Sequence, residues 1–177
     1  MEFKMAVHTL LTEEQFLNLP DSDGRQEFRD GEVISVPPAK YARSELVKRI
    51  YKLLLTVLHE SRVWNETGFL LRPERWVTPD VCVIWPDQAR SRGWFYRSPM
   101  LAIEVASRGN TPDELQQKLL EYLEFGAGEV CIIYPKTKTM VVHRVGFTLT
   151  VEAQADYYCE LAGVTFTPEY RTEVAED

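Results

Sequence analysis

Three residues whose side chains can do acid, base or metal chemistry follow one another along the chain: Asp80, Glu104 and Lys118. Asp80 begins the apolar segment "VCVIWP", and Glu104 interrupts the apolar segment "LAIEVA". A carboxylate in an apolar strand is costly to desolvate unless another group pairs with it. The position of Glu104 within an apolar segment therefore indicates either that this strand face is solvated or that the carboxylate has a partner such as a metal ion.

The spacing of neighbouring residues favours a partner for Glu104. Alternation along a strand places Glu104 between Ala102 and Ala106 on one face, and these small side chains leave room for an ion, water or a helix. In the next segment, Lys118 falls on or beside the apolar helix side that carries Leu119. We therefore expect Lys118 to point toward the sheet, with Glu104 as its candidate partner.

Two carboxylates and a lysine around one point suit metal-assisted hydrolysis of a phosphodiester. Hard oxygen ligands suit Mg²⁺, which keeps several waters and needs few protein ligands. The ion lowers the pKa of a bound water and offsets charge on the phosphorus. A lysine can orient that water or stabilise the transition state electrostatically.

Each of these residues also has a purely structural interpretation. Asp80, which follows Pro79, would begin a strand through a turn, and Glu104 would be half-exposed at a sheet edge. Lys118 would pair with Glu114, four residues earlier, on an exposed helix face. A further alternative is a structural Glu104–Lys118 ion pair in an unrelated α/β domain.

The elements that must position these residues alternate between helix and strand patterns. An Asp-Gly turn at residues 30 and 31 predicts a β-hairpin whose first strand carries Glu27. Helical spacing of apolar residues predicts a long helix over "YARSELVKRIYKLLLTVLHE", whose other face is basic. A second helix begins with a Thr-x-x-Glu capping box and ends at Gly126.

The order of elements is helix, hairpin, helix, strands, helix, strands, which indicates a mixed α/β or α+β fold with one central sheet flanked by helices. The unit over residues 101–135 is expected to join two parallel strands through a crossover helix. Without a linker or repeat in the sequence, we expect one domain over residues 1–177, with a core over about 10–155 and a polar C-terminal tail.

Composition narrows the function classes. The 177 residues are 45% hydrophobic and 27% charged, without an apolar run of membrane-spanning length. The start "MEFKMAVHTL" lacks a signal-peptide pattern, and the three cysteines, at residues 82, 131 and 159, are odd in number and widely spaced. We therefore expect a cytoplasmic protein with reduced cysteines. The net charge of -7 counts against a dedicated nucleic-acid binder, so DNA would need a local basic patch and a divalent cation.

The segments around Asp80 and Glu104 resemble the PD-(D/E)XK nuclease superfamily, and more narrowly the Uma-two family of predicted restriction endonucleases. The shared pattern comprises a Pro-Asp strand, Glu-Val-x-Ser after an apolar run, and then Lys, Tyr, Gly and Tyr-Pro. Its positions here are Pro79-Asp80, Glu104-Val105-Ala106-Ser107, Lys118, Tyr122, Gly126 and Tyr134-Pro135. The resemblance covers about residues 10–145 and implies a restriction-endonuclease-like fold, a central mixed sheet flanked by helices.

The resemblance also implies roles for the site residues. Asp80 and Glu104 would be ligands of Mg²⁺ or Mn²⁺. Lys118 would be the catalytic lysine, which the superfamily usually places two residues after the glutamate, where this chain has Ala106. Glu27 would be an additional acidic residue near the metal. Its structural alternative is a surface charge on the hairpin.

The connection "PDQARSRGWFYRSP" joins the strands that hold the two candidate ligands. Interleaved arginines and aromatic residues suit phosphate contact and base stacking. The candidate nucleic-acid-binding residues are Arg90, Arg92, Trp94 and Arg97. A loop that covers the core or a dimer surface is the structural alternative.

Two functional hypotheses follow. One is a Mg²⁺-dependent endonuclease that hydrolyses DNA. The other is a catalytically inactive nuclease fold that serves as a nucleic-acid- or protein-binding module. The acidic net charge favours the second, as does the start of the long helix, where the family often has a histidine and this chain has Arg43 or Ser44. We expect a homodimer, because exposed aromatic residues need cover and duplex cutting often uses two active sites.

Overall fold

The computed structural model describes residues 10–20, 25–36, 40–91, 94–107 and 111–167. Three α-helices lie among these residues: α1 (Glu13–Leu17), α2 (Tyr41–Leu55) and α3 (Pro112–Glu124). Within these ranges, none of the helices has the length and hydrophobicity that crossing a bilayer requires. The strands, in chain order, are β1 (Arg25–Arg29), β2 (Glu32–Val36), β3 (Val63–Asn65), β4 (Phe69–Arg72), β5 (Arg75–Val77), β6 (Val81–Val83), β7 (Arg90–Ser91), β8 (Trp94–Tyr96), β9 (Leu101–Val105), β10 (Glu129–Tyr134), β11 (Thr139–Arg144), β12 (Phe147–Val151), β13 (Tyr157–Cys159) and β14 (Val164–Phe166).

The strands form two six-stranded sheets and one two-stranded hairpin, β13–β14. Sheet A has the order β2-β1-β5-β4-β8-β7, and sheet B has the order β12-β11-β10-β9-β6-β3. The mixed α+β class is confirmed, but the strands divide between two sheets where the sequence predicts one. Sheet A depends on β5, β7 and β8, which are only two or three residues long and carry too few residues for a periodic pattern.

The unit that carries Glu104 has the predicted crossover. Strands β9 and β10 are parallel, and α3 connects them. Strand β6 pairs with the other edge of β9 in the antiparallel direction. Strand β9 is therefore interior to sheet B, and all five of its residues are buried.

Local sequence signals fix the ends of the elements around the site. Thr111 accepts from the backbone N–H of Glu114, whose side chain accepts from the backbone N–H of Thr111, so the predicted capping box begins α3. Gly126 follows α3 with a φ of 95°, a conformation that glycine adopts without strain. Asp30 and Gly31 both have positive φ, as a two-residue hairpin turn between β1 and β2 requires.

Alternation along β9 divides its side chains between two hydrophobic clusters. Leu101, Ile103 and Val105 belong to the cluster that includes α2. Ala102 belongs to a second cluster, which combines residues of sheet A, sheet B and α3. Because Glu104 shares the face of Ala102, its side chain enters the layer between sheet A and sheet B.

A separate ion pair, between the buried Glu129 and the partly exposed Arg144, allows a test of the sheet B packing. Glu129 is fully buried at the start of β10, where its Oε2 accepts from Arg144 Nε and from the Tyr157 hydroxyl, both at 2.7 Å. We expect Arg144→Ala to lower the free energy of unfolding by about 2–3 kcal/mol, because a buried carboxylate loses a charged donor. Urea denaturation measures this change.

The matched control is Arg72→Ala, which removes an exposed pair with Asp30 at 2.8 Å. Exposed pairs contribute about 0–1 kcal/mol, so this variant should stay close to the wild type. Equal losses in the two variants would contradict the structural role of the Glu129–Arg144 pair.

Candidate active site

Asp80 and Glu104 lie side by side on sheet B. Val81 of β6 is opposite Ile103 of β9, and continuing this antiparallel register by one residue sets Asp80 opposite Glu104. Directly opposed residues project their side chains to the same face of a sheet. Glu104 is 6% exposed, so its interpretation as a half-exposed residue at a sheet edge is wrong. Asp80 is fully buried and lies in a bend directly before β6.

Glu104 finds its partners on α3. Lys118 Nζ lies 2.8 Å from Glu104 Oε1, and the Tyr122 hydroxyl donates to the same oxygen at 3.0 Å. Both donors reach one point because residues four apart share a side of a helix. The expected Glu104–Lys118 contact is therefore present, whereas the carboxylate of Glu114 is engaged by the helix cap.

Glu27 completes a three-residue arrangement around Lys118. Its Oε1 lies 2.6 Å from Lys118 Nζ and accepts from the backbone N–H of Thr78 at 3.1 Å. Glu27 is 5% exposed, so the interpretation as a surface hairpin charge is wrong. Lys118 thus bridges two buried carboxylates, one from each sheet.

Asp80 is held by two arginines. Arg43, in the first turn of α2, donates through Nη2 to both oxygens of Asp80 at 2.6 and 2.8 Å. Arg25 donates to Oδ1 at 2.7 Å, and the backbone N–H of Val105 donates to Oδ2 at 2.8 Å. Arg25 precedes Glu27 by two residues, so β1 projects both side chains toward sheet B.

A fully buried arginine supports the side of the site that faces sheet A. Arg75 of β5 donates through Nε to Glu121 of α3 at 2.7 Å and lies 3.7 Å from Glu27. Its Nη1 donates to the backbone carbonyl oxygens of Phe28 and Trp76, and its Nη2 lies 2.6 Å from the Glu121 carboxylate. Arg75 therefore adds a positive charge beside Glu27 that does not depend on Lys118.

Burial and neighbouring charges separate the proton affinities of the two glutamates. Burial raises the pKa of Glu104 from its ordinary value of 4.5 to about 7. Lys118 lowers this pKa by attracting the carboxylate, whereas repulsion from Asp80 and Glu27 raises it further. Burial also acts on Glu27, but Lys118, Arg75 and the backbone N–H of Thr78 together lower its pKa. Glu104 is thus the carboxylate whose charge changes near neutral pH.

Lys118 remains an ammonium in this buried place. Burial opposes its charge, yet the attraction of Glu104 and Glu27 and the hydrogen bonds to them raise its pKa above the ordinary value. The same carboxylates, together with burial, raise the pKa of the Tyr122 hydroxyl, which stays a donor. The arrangement therefore presents a charged donor next to a carboxylate that can change its protonation.

The family model described as "Putative restriction endonuclease", Uma2, matches residues 13–157. The chain belongs to the Uma2 family. The match spans β1, β6, β9 and α3, the elements that carry Glu27, Asp80, Glu104 and Lys118. None of the curated proteins compared with the chain gives a significant match.

A solved structure shares the fold of this Uma2 chain. The crystal structure of a "putative nuclease belonging to DUF820" from Anabaena variabilis superposes with a TM-score of 0.79 at 20% sequence identity. The alignment covers 90% of this chain and 96% of that chain. At this identity the likeness shows that the two chains share a fold, and the chemistry has to be argued from the side chains.

The donor chemistry of this Uma2 site fits a hard divalent cation. Asp80 and Glu104 offer carboxylate oxygens from adjacent strand positions, and Mg²⁺ uses one or two carboxylates together with waters and phosphates. Among the described residues, no group of three or more His, Cys, Asp or Glu side chains is arranged to hold a metal ion. Because both oxygens of Asp80 accept arginine donors, Asp80 would ligate a cation only after a guanidinium has moved.

The structure places Trp94 within a packed cluster. Its ring lies 4.8 Å from the Trp76 ring in an edge-to-face arrangement. A Cβ atom at Gly68 would overlap the Trp94 ring, so the ring covers this glycine. Packing accounts for Trp94 without a nucleic acid, and its role in base stacking stays a prediction.

The arginines of the same connection lie on the surface. Arg90 is exposed, and Arg97 is paired with Asp87 at 2.8 Å, with 47% of its side chain exposed. The described contacts of Arg90 and Arg97 do not join them to the acidic residues of the site. Arg92 lies outside the described residues.

Three arginines of this Uma2 site were missed or left without a role by sequence reasoning. Arg25 had a usable signal, since it shares a strand face with Glu27 two residues later. Arg43 stands near the position of the family's histidine, and from the sequence it is assigned to the basic, solvated face of the long helix without a partner. Arg75 carries no local signal, because a three-residue strand with both faces buried resembles a surface turn in the sequence.

Proposed function

We propose that this Uma2 protein is a metal-dependent endonuclease that hydrolyses DNA phosphodiester bonds. The observation that carries the proposal is the Lys118 ammonium, which lies 2.6 Å from Glu27 and 2.8 Å from Glu104, beside the opposed carboxylate of Asp80. Two carboxylates on one lysine and a third beside them bring several carboxylate oxygens to one place, and such hard oxygen donors suit a divalent cation.

In this proposal Asp80 and Glu104 hold Mg²⁺ or Mn²⁺, which when bound supplies Lewis acidity at the phosphate. Lys118 donates from its ammonium to an oxygen of the attacking water or of the scissile phosphate. Glu27 is a positioning residue, because its short contact with Lys118 fixes the ammonium. Tyr122 fixes Glu104 in the same way through its hydroxyl.

In this proposal, exposed basic side chains contact the DNA backbone. Helix α2, whose first turn holds Arg43, carries the exposed residues Lys48, Arg49 and Lys52. Positive side chains along one helix suit phosphate contacts, which set affinity without reading sequence. Arg90, Arg92, Trp94 and Arg97 extend the proposed nucleic-acid contacts. We also propose a cytoplasmic homodimer, because two copies supply one site for each strand of a duplex.

A second function has support from one observation. Both oxygens of Asp80 are already satisfied by Arg25, Arg43 and a backbone N–H. A carboxylate so well paired is a stable structural element. This favours the catalytically inactive nuclease fold, which would bind nucleic acid or protein without cutting.

Plasmid cleavage separates the two functions. We expect the wild type to nick supercoiled DNA with Mg²⁺ or Mn²⁺, to stop when EDTA removes the cation, and to resume when the cation is restored in excess. Asp80→Asn should lose nicking, whereas Asp30→Asn, at an exposed turn on the same sheet as Glu27, should cleave like the wild type. Nicking that survives in Asp80→Asn would contradict the site. DNA binding without nicking by the wild type would select the binding module.

A further inference from the structure

The contacts of Asp80 raise the question of what two arginines do on a candidate metal ligand. Arg25 and Arg43, here called the arginine pair, occupy Oδ1 at 2.7 and 2.6 Å, and Arg43 also occupies Oδ2 at 2.8 Å. The backbone N–H of Val105 takes a further place on Oδ2. Asp80 is fully buried, and all four of these hydrogen bonds come from groups of the protein.

The formal charges of the buried cluster cancel. Four acidic and four basic side chains, each at most 14% exposed, lie within ion-pair distance of at least one member of opposite charge. The members are Asp80, Glu104, Glu27 and Glu121, with Arg25, Arg43, Arg75 and Lys118. The half-exposed Glu66, 3.9 Å from Arg25, lies outside this buried set. A divalent cation added to this buried layer would leave two uncompensated positive charges, which is strongly unfavourable at low polarity. Binding of a cation therefore requires that a positive group leave or that an anion arrive.

The arginine pair is the part of the cluster that can leave. Arg25 and Arg43 keep 14% and 13% of their side chains exposed, whereas Arg75 is fully buried between α3 and backbone carbonyl oxygens. A guanidinium matches a phosphate as well as it matches a carboxylate, with two parallel donors. A DNA phosphate at the mouth of the site would thus accept the same donors and supply the missing negative charge.

We propose that the arginine pair competes with the divalent cation for Asp80 and transfers to a DNA phosphate when substrate binds. This inference rests on the proposed function, because it assumes that Asp80 is a metal ligand and DNA the substrate. Transfer of the guanidinium groups frees Asp80 oxygens at the moment when the phosphate balances the charge. Cation and DNA then favour each other's binding by the same factor, as linkage requires.

The test measures the affinity for Mn²⁺ and the affinity for DNA, which the proposal predicts to change in opposite directions when an arginine is removed. Calorimetry titrates Mn²⁺ into the wild type, Arg43→Ala and Arg25→Ala in the absence of DNA. Fluorescence anisotropy measures the affinity for a labelled duplex in the absence of divalent cations. We expect Arg43→Ala to bind Mn²⁺ at least about tenfold more tightly, because a neighbouring positive charge is gone, and to bind the duplex several-fold more weakly. Arg25→Ala should behave in the same direction.

The matched control is Arg72→Ala, which removes an arginine–carboxylate pair at the exposed turn and should change neither affinity. A merely structural role for the arginine pair would weaken Mn²⁺ binding and DNA binding together. Unchanged or weaker Mn²⁺ binding in Arg25→Ala and in Arg43→Ala would overturn the inference, as would unchanged duplex binding. If Arg43→Ala does not fold, Arg25→Ala and Arg25→Gln decide the question, because Arg25 lies on a different element, strand β1 of sheet A.

Cleavage is not a readout of this test, so its failure is distinct from failure of the proposed function. If the arginine variants bind Mn²⁺ more tightly but the wild type does not nick DNA, the competition for Asp80 is supported and the nuclease function is rejected. If the wild type nicks DNA but the arginine variants bind Mn²⁺ no more tightly, the nuclease function is supported and the competition for Asp80 is rejected.

Discussion

A Glu104→Gln variant is expected to lose DNA cleavage and to become more stable at pH 8. Cleavage should fall at least about 100-fold, the scale on which removal of one transition-state-stabilising group acts. Stability should rise because Glu104 is ionised at a cost in its buried place, whereas glutamine is neutral and of similar size. The amide oxygen of the introduced glutamine would still accept from Tyr122, and Lys118 would keep Glu27 as its anion.

The gain in stability has a defined pH range. Below pH 4.5, Glu104 carries its proton in the folded and the unfolded chain, and the wild type has no penalty. Between pH 4.5 and about 7, the unfolded chain releases the proton while the folded protein retains it, so the stability of the wild type falls as the pH rises. Above about pH 7 the full penalty is present, and the pKa shift corresponds to roughly 3 kcal/mol.

Urea denaturation at pH 4.5 and pH 8, with nicking assays on the same preparations, measures both effects. Glu129→Gln is the matched control, because Glu129 is also a buried glutamate of sheet B, on the neighbouring strand. Its partners Arg144 and Tyr157 would lose a charged acceptor, so this variant should be less stable than the wild type. A Glu104→Gln variant that is less stable than the wild type at pH 8 would contradict the prediction, because the ionised carboxylate would then stabilise the fold.

Much of the layer that holds the site follows from local sequence patterns. Alternation along β9 assigns Glu104 to the face of Ala102, and helical spacing directs Lys118 to the same side as Tyr122. The capping box at Thr111 fixes where α3 begins, so the position of Lys118 relative to β9 is a short-range consequence of the sequence. This is why the Glu104–Lys118 contact could be predicted.

The remaining partners depend on contacts between segments far apart in the chain. Glu27 reaches Lys118 across 91 positions, and Arg25 reaches Asp80 across 55. These contacts exist because sheet A packs over α3, and sheet A is held together by strands too short to predict. The assignment of Arg43 to the basic, solvated face of the helix is wrong. Arg43 precedes the buried Leu46 by three residues and the buried Ile50 by seven, so helical spacing places it on the buried side of α2, where it reaches Asp80.

A Lys118→Met variant is expected to be destabilised by about 3–5 kcal/mol at pH 8, because removal of one partner leaves buried carboxylates uncompensated. Glu27 keeps Arg75 and the N–H of Thr78, so the main loss falls on Glu104. Without Lys118, Glu104 keeps its proton to a higher pH in the folded variant. The deficit relative to the wild type therefore widens above about pH 7, by up to about 1.4 kcal/mol per pH unit, and is constant between about pH 5 and pH 7.

Chemical denaturation over pH 5–9 measures this deficit, with Lys48→Met as the control. Lys48 is exposed and pairs with Glu45 at 3.5 Å within α2, so its removal should change stability by less than about 0.5 kcal/mol at every pH. Adding Glu104→Gln to Lys118→Met removes the uncompensated carboxylate and should recover most of the loss at pH 8. A deficit that is independent of pH, or that the second substitution fails to reduce, would mean that Lys118 stabilises the fold by packing and not by balancing Glu104. The double variant should remain folded without cleaving DNA, because stability needs only that the charges be balanced, whereas the proposed chemistry needs the charged groups themselves.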